Sequence, residues 1–576
     1  IVILSAADSE LSAFAEAAEA LPDDFPGLRL ASLVTLAHPL SVDLALEKTF
    51  RHARLVIVRL LGGTAYWPHG VDALETLARQ RDVQLAIVPG EARWSEALAK
   101  LGTVGEDDAR TFWRYCVEGG ARNRSHALRF AAHLLGRAER PPEPQPIPLA
   151  GCYWPGEGAV GFDRVRAHWR DPDAPVAALV FYRAHLQDGA TAPSDALVAA
   201  LAARGLNPLP MFASSLRDGA PAEVVAATLA ETDPAVVLTS TVFSAAGIGD
   251  AYAGTALDRT GAPVLQVVQA GSSRDGWVES ARGLGIRDLA MNVVTTEIDG
   301  RILTRAISFK EEAPVDPRTE WRPVRPVPVP DRVDFVAELA ARWARLRRTP
   351  VAERRIALVL ANYPTRDGRL ANGVGLDTPA STVALLDAMA AAGYRVEGAP
   401  ATSDALMDRL TAGPTNAPGS GDRAGGVTLG LEEYLSFFSQ LPDDAREKVV
   451  AKWGEPDADP SLIDGAFRLA VHVLGNVVVA IQPARGYDRD PKATYHDPDL
   501  PPTHAYLAFH CWLRAAFAAD AVVEVGKHGN LEWLPGKALA LSASCFPEVA
   551  LGPLPTVYPF IVNDPGEGSQ AKRRTA

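Results

Sequence analysis

Val477-Val-Val-Ala-Ile481 and Ala521-Val-Val-Glu-Val525, separated by the alanine- and aromatic-rich segment Ala505 to Ala519, decide the fold of this chain. Both short runs are apolar and rich in β-branched residues. They lack the polar alternation of a half-exposed strand, so they suit strands buried on both faces of a parallel sheet. Strand, helix and strand in this order predict a βαβ unit whose two strand ends lie side by side. Ligands in such sheets sit beyond the carboxyl ends of the strands. The pattern therefore brings Gln482 to Asp490 beside Gly526 to Glu532.

The turn after the second strand is the richest in chemistry. Gly526-Lys-His-Gly-Asn-Leu-Glu-Trp-Leu-Pro-Gly-Lys537 carries an imidazole, a carboxylate and two ammonium groups, punctuated by glycines that let the backbone turn tightly. His528 and Glu532 converge on one point if Gly529 to Trp533 forms a helical turn, which Pro535 would end. Both side chains accept protons and bind borderline metals, so they are the first candidates for acid–base work and for metal ligation. The alternative is a packed turn in which Glu532 pairs with Lys527 or Lys537. Asp488 and Asp490, in Arg485-Gly-Tyr-Asp-Arg-Asp-Pro491, are further candidate cation ligands, although Asp-Pro is also an ordinary turn signal. His496 and His504 border a proline-dense loop that presents an imidazole or caps the next helix; His496 is a candidate ligand and His504 a candidate catalytic group. His510 and Cys511, beside Phe509 and Trp512, read as core residues. Lys572, Arg573 and Arg574 are either a grip for carboxylates or a solvated face.

Outward from this unit the chain repeats strand-then-helix patterns, which predicts a multidomain α/β protein with parallel, Rossmann- or flavodoxin-like sheets. Residues 1–140 form a first α/β domain on the strands Ile1 to Leu4, Leu55 to Val58 and Gln84 to Val88. Arg140 to Pro148 is a stiff proline-rich connector. Residues 149–330 form a second domain, ending in the proline-rich stretch Arg322 to Pro330. Residues 350–460 form a third segment, and 461–576 begin a core domain that is incomplete here. Val176 to Gly205 and Ile356 to Gly393 form a weak repeat, with Ser194 and Ser381 as expected helix caps. The loop Gly413 to Gly426 is expected to be mobile or to cover a site. Trp67, His69 and Gly70 follow a strand and border either a ligand crevice or an ordinary loop.

The turn and three other segments resemble one family. Gly475 to Pro491, Ser544-Cys-Phe-Pro547 and Asn563 to Arg574, with the turn, are similar to the large subunit of aerobic cobaltochelatase and its relative, the magnesium chelatase H subunit. Asn530 and Trp533 resemble the cobalt branch more. The resemblance implies a tetrapyrrole-binding subunit that inserts Co²⁺ as its substrate metal into hydrogenobyrinic acid a,c-diamide during cobalamin biosynthesis. It further implies partner AAA+ subunits that use ATP and Mg²⁺. Lys527, Asn530, Lys537, Arg485 and Tyr487 are then the candidate tetrapyrrole contacts. Two alternatives stand beside this reading: a magnesium chelatase H subunit acting on protoporphyrin, and a non-catalytic tetrapyrrole-binding scaffold.

Composition agrees with these limits. The chain has 576 residues, 47% hydrophobic and 22% charged, enough for about three or four domains. It begins without methionine and is read as a piece of a longer protein. Its formal net charge of −13 argues against a nucleic-acid partner. Leu469 to Ala484 is the most apolar run, but His472, Asn476 and Gln482 interrupt it, so no membrane span is expected. Four dispersed cysteines form no C-x-x-C pair, which suits a reducing cytoplasm rather than a disulfide framework. Gly529 and Gly536-Lys537-Ala538 do not meet the spacing of a phosphate loop, and no G-x-G-x-x-G follows a strand and opens a helix. ATP hydrolysis by this chain itself is therefore not expected.

Overall fold

The computed structural model describes residues 1–217, 219–246, 254–362, 367–373, 375–417, 419–486, 497–560 and 564–575. Three sheets of mostly parallel strands form the α/β scaffold. The first holds the strands Arg29–Ser32, Val2–Ser5, Leu55–Leu60 and Gln84–Pro89 in that spatial order, all parallel. Leu55–Leu60 is buried along its whole length, as a continuous apolar run in a sheet covered on both faces must be.

The second sheet has eight strands. Its parallel centre runs Asn207–Ala213, Val176–Tyr182, Val236–Thr239, Val264–Gln269 and Ile302–Glu312. In chain order that is 2-1-3-4-5, the flavodoxin-like order. The proline-rich stretch expected to end the domain supplies an antiparallel edge strand, Val324–Pro328. An edge tolerates prolines because half of its backbone donors face no partner. The helix Pro330–Arg348 then packs back on this sheet through Val333, Val336, Ala337 and Ala340.

The third sheet carries the turn of interest. Its order is Val471–Leu474, Val477–Ile481, Ile356–Leu360, Ala521–Val525 and Thr556–Val557, with only the first strand antiparallel. Two expectations are corrected here. Val477–Ile481 and Ala521–Val525 are not neighbours, because Ile356–Leu360 lies between them and pairs with both. A boundary near residue 460 would therefore cut through one sheet. The chain leaves Ile356–Leu360 on one side and returns on the other, so this central strand marks the topological switch point.

Local signals hold in kind but not in detail. Helices Leu431–Ser439 and Asp443–Trp453 break at Pro442. The expected caps differ: Ser194 and Ser381 lie inside the first turns, and Asp377 caps Thr378–Ala391 by accepting from the Ala380 amide. The loop 413–426 is tied down where Asn416 donates to the Gln482 carbonyl at 2.8 Å. Among the described residues, no helix is long and apolar enough to cross a membrane. All four cysteines are free and buried.

Candidate functional site

The carboxyl edge of the third sheet gathers polar groups that have nowhere else to go. Asn362 follows the central strand, Gln482 follows one neighbour, and Gly526 opens the turn after the other. The Asn362 Oδ1, Gln482 Oε1, Thr378 Oγ1 and Glu532 Oε1 atoms are buried and lack a hydrogen-bond partner among the described residues. Such orphaned groups are rare in a folded protein, and each calls for an explanation such as a bound ligand, water or a chemical role. Gly526 is at φ +112°, and a Cβ there would lie 2.9 Å from the Ala361 side chain. Only glycine lets the turn fold back across the sheet end.

Within the turn, Leu531–Trp533 forms a single 3-10 turn rather than a longer helical one. Glu532 points inward and is 2% exposed. Its carboxylate lies over the Gly529 backbone, where a Cβ would meet its two oxygens at 2.8 and 3.0 Å. Glu524 alternates inward from the strand Ala521–Val525 and is also buried. Burial pushes the Glu524 carboxyl up to about 8, with the Glu532 charge adding to the effect. Burial likewise pushes Glu532 up to about 7, helped by the charge of Glu567. Two buried carboxyls that interact titrate as a pair and hold a proton near neutral pH. Tyr506 and Tyr558 lie beside the same carboxyls, and burial followed by these carboxylates drives both phenols upward. We term the space around this carboxyl pair the chamber. The Tyr558 hydroxyl accepts from the Gly529 amide at 2.7 Å.

His528 turns the other way. Its Nδ1 contacts the Glu567 carboxylate, and the ligand atoms of His528, Asp564 and Glu567 all lie within 4.8 Å of one another. All three side chains are half-buried. Lys527 Nζ stands 3.9 Å from Asp564. His528 and Glu532, expected to converge, therefore serve two adjoining clusters.

Other expected site residues fall elsewhere. His504 is fully buried, donates from Nε2 to the Gly454 carbonyl at 2.9 Å and meets the Tyr434 hydroxyl at Nδ1. Both ring nitrogens are engaged within the fold, with partners outside the turn that carries Glu532. Lys537 donates to the carbonyls of Trp277, Val278 and Ser280 at 2.7–2.9 Å. All three of its donors clamp the second sheet's domain to the turn, and none remains for a tetrapyrrole. Asn530 accepts from Tyr506 at 2.9 Å and donates to the Pro483 carbonyl at 2.8 Å. It stitches together the two loops expected to meet. Arg485 is buried and donates to the Asp497 carbonyl at 3.1 Å. Tyr487, Asp488, Asp490 and His496 lie outside the described residues. Arg574 is buried and donates to the carbonyls of Glu532, Leu534 and Lys537, while Arg573 forms a two-pronged pair with Glu297 at 3.0 Å. His510 is buried, and desolvation pushes it down to about 3. Trp67 is a packed residue that donates to the Leu36 carbonyl, and its ring fills the space over Gly70.

Sequence reasoning misses Glu524, Glu567, Asp564, Tyr506 and Tyr558 as site residues. Glu524 has a signal, since a carboxylate inside an otherwise apolar strand requires an explanation.

Buried carboxyls with raised pKa at the switch point of a parallel sheet, beside a histidine–carboxylate trio, make this sheet end the candidate site of an α/β protein. Comparison with known proteins narrows this. The CobN/Magnesium Chelatase family profile matches residues 113–576, and the chain belongs to that family. It is 49% identical to an aerobic cobaltochelatase subunit CobN of Sinorhizobium sp. over 100% of this chain and 46% of that protein. The Pseudomonas aeruginosa subunit of the same name is 47% identical, again over 100% and 46%. The magnesium-chelatase H subunit of Rhodobacter capsulatus is 28% identical over 92% of this chain and 45% of its own length. The solved catalytic subunit of cobaltochelatase from Mycobacterium tuberculosis superposes with a TM-score of 0.80 at 35% identity, covering 100% of this chain and 46% of that one. The chain thus spans about half the length of the relatives it matches.

Proposed function

We propose that this chain is part of the tetrapyrrole-holding, metal-inserting subunit of a cobaltochelatase, placing Co²⁺ in hydrogenobyrinic acid a,c-diamide during cobalamin biosynthesis. Partner AAA+ subunits would hydrolyse Mg·ATP and drive the cycle. The observation that carries the reading is the Glu524–Glu532 pair. Insertion exchanges the single ring N–H proton of this corrin for a divalent cation (two such protons in a porphyrin), so a site must accept a proton close to the ring. A carboxylate at its ordinary pKa is a feeble acceptor near neutral pH, and a strongly basic group would already be protonated. A pair at about 7 and about 8 lies where proton transfer works best. The orphaned amide and hydroxyl oxygens of Asn362, Gln482 and Thr378 would become available to the macrocycle where the sheet end opens to admit it. The higher identity to the two cobalt subunits than to the magnesium subunit favours cobalt.

The test uses the full-length subunit with its AAA+ partners, ATP and the diamide. Absorbance change at the macrocycle band is expected with Co²⁺ and not with Mg²⁺. Magnesium-dependent insertion into protoporphyrin would assign it to the other branch. Tetrapyrrole binding without insertion of either metal would make it a scaffold.

Gly529→Ala tests the chamber's geometry. The new methyl would collide with the Glu532 carboxylate and lie 3.2 Å from the Tyr558 ring, so the acid–base group must move. Displacements of this size cost ~10²-fold in rate. Insertion is expected to fall by that order while the thermal midpoint moves little. An unchanged rate would show that Glu532 acts from another position.

A further inference from the structure

The trio at the rim is a separate cluster with its own chemistry. We propose that His528, Asp564 and Glu567 form a transient docking site for the substrate divalent cation, outside the chamber, and that Glu532 is not one of its ligands. This deepens the metal-inserting reading above and rests on it.

One nitrogen and two carboxylate donors form the set that suits a divalent first-row ion and leaves coordination positions open. Open positions matter, because an ion bound for a macrocycle must exchange ligands rather than settle. The donors come from two elements held in register: the turn that follows Ala521–Val525, and the start of the helix Pro565–Arg574, where Asp564 is the cap and Glu567 is in the first turn. The His528–Glu567 contact fixes the imidazole against its neighbour.

Three features separate this site from the chamber. Its side chains are half-buried and open to entry, whereas Glu532 is 2% exposed. Glu532 packs over Gly529, with Oε1 lacking a partner among the described residues, so a proton-accepting oxygen stands ready in the same turn as the rim ligand His528. The Lys527 ammonium, 3.9 Å from Asp564, places a positive charge beside any bound cation and weakens its hold. A site meant to release its ion gains from that repulsion. The cation thus waits at the rim, and the macrocycle's ring proton leaves by way of the buried carboxyl pair.

Titration of the full-length subunit with Co²⁺, without tetrapyrrole or partners, reads this site through the visible ligand-field bands of bound cobalt. Asp564→Asn and Glu567→Gln should each weaken cobalt binding at least tenfold, while macrocycle binding and thermal unfolding stay at wild-type values. Glu532→Gln should bind cobalt as tightly as wild type. Wild-type cobalt spectra in the Asp564→Asn/Glu567→Gln double variant would overturn the proposal, as would loss of the bands in Glu532→Gln. Failure of the wild-type subunit to bind any tetrapyrrole would instead undo the chelatase reading, with the cobalt titration still readable.

Discussion

Replacing Glu532 with glutamine is expected to abolish metal insertion while leaving the protein folded. Losing a positioned acid–base group lowers rates by ~10²–10⁴-fold, and glutamine keeps the volume over Gly529 while removing the proton-accepting oxygen. The same substitution should raise stability at alkaline pH, and the sign follows from linkage. Glu532 has a folded pKa of about 7 against an ordinary value of 4.5, and Glu524 about 8 against 4.5. A carboxyl whose pKa is raised by folding favours the native state when protonated. That contribution is complete below about 4.5 and is lost as pH rises through the folded values. Native stability near this chamber should therefore decline between about pH 5 and pH 8, and Glu532→Gln should flatten the decline. Hydrogen exchange of the turn amides across that range, beside insertion rates, measures both effects. Near-normal insertion by the variant would remove Glu532 from the chemistry. An unchanged alkaline loss would show that Glu532 is already ionised in the native state.

How far the sequence foretells this site depends on how far apart the cooperating residues lie. Val477–Ile481 and Ala521–Val525 are legible as buried parallel strands because continuous apolar runs can mean little else beside a helix of the right length. Their separation by Ile356–Leu360 is not legible. That run lies more than a hundred residues upstream and looks like the start of any βα unit, so strand order is fixed by packing between distant segments. In the same way, His528 and Glu532 stand out through the glycines around them, but Asp564 and Glu567 sit in Asp-Pro-Gly-Glu, which reads as a turn. Their meeting with His528 depends on where the helix Pro565–Arg574 docks. The surroundings of His504 are likewise not legible. A histidine after clustered prolines looks poised for a ligand, yet Tyr434 and Gly454, from other parts of the chain, satisfy both of its nitrogens. Lys537 misleads for the same reason, since the carbonyls that absorb its charge come from residues 277–280.

Glu548→Ala is expected to be the most destabilising single change near the site. Glu548 lies on the helix Phe546–Leu551, and its side chain is 6% exposed between two guanidinium groups. Arg305 approaches from the strand Ile302–Glu312 at 2.6 Å, and Arg332 from the helix Pro330–Arg348 at 2.8 Å. Those side chains are 9% and 2% exposed. Removing the carboxylate leaves buried Arg305 without its ion partner and Arg332 with only Asp331, at 2.9 Å, and breaking a buried pair in this way costs ~3–5 kcal/mol. Arg332 also donates to the Leu541 carbonyl, and the Trp277 indole to that of Ala540. These bonds, with Lys537 and the Arg573–Glu297 pair, join the second sheet's domain to the segment that follows the turn. Loosening the join frees the backbone on which Glu532 is mounted, because Arg574 anchors Glu532, Leu534 and Lys537 from the same side. The variant should therefore unfold at a lower denaturant concentration, with the third sheet's region separating first. At temperatures where it remains folded, insertion should fall more than tetrapyrrole binding. Glu548→Gln, which keeps hydrogen-bond acceptance but not the charge, should lie between the two. Unfolding of Glu548→Ala within ~0.5 kcal/mol of wild type, the range of ordinary surface changes, would mean that water or rearranged side chains neutralise the two arginines. The join would then owe its strength to the carbonyl clamps at Lys537 and Arg574 instead.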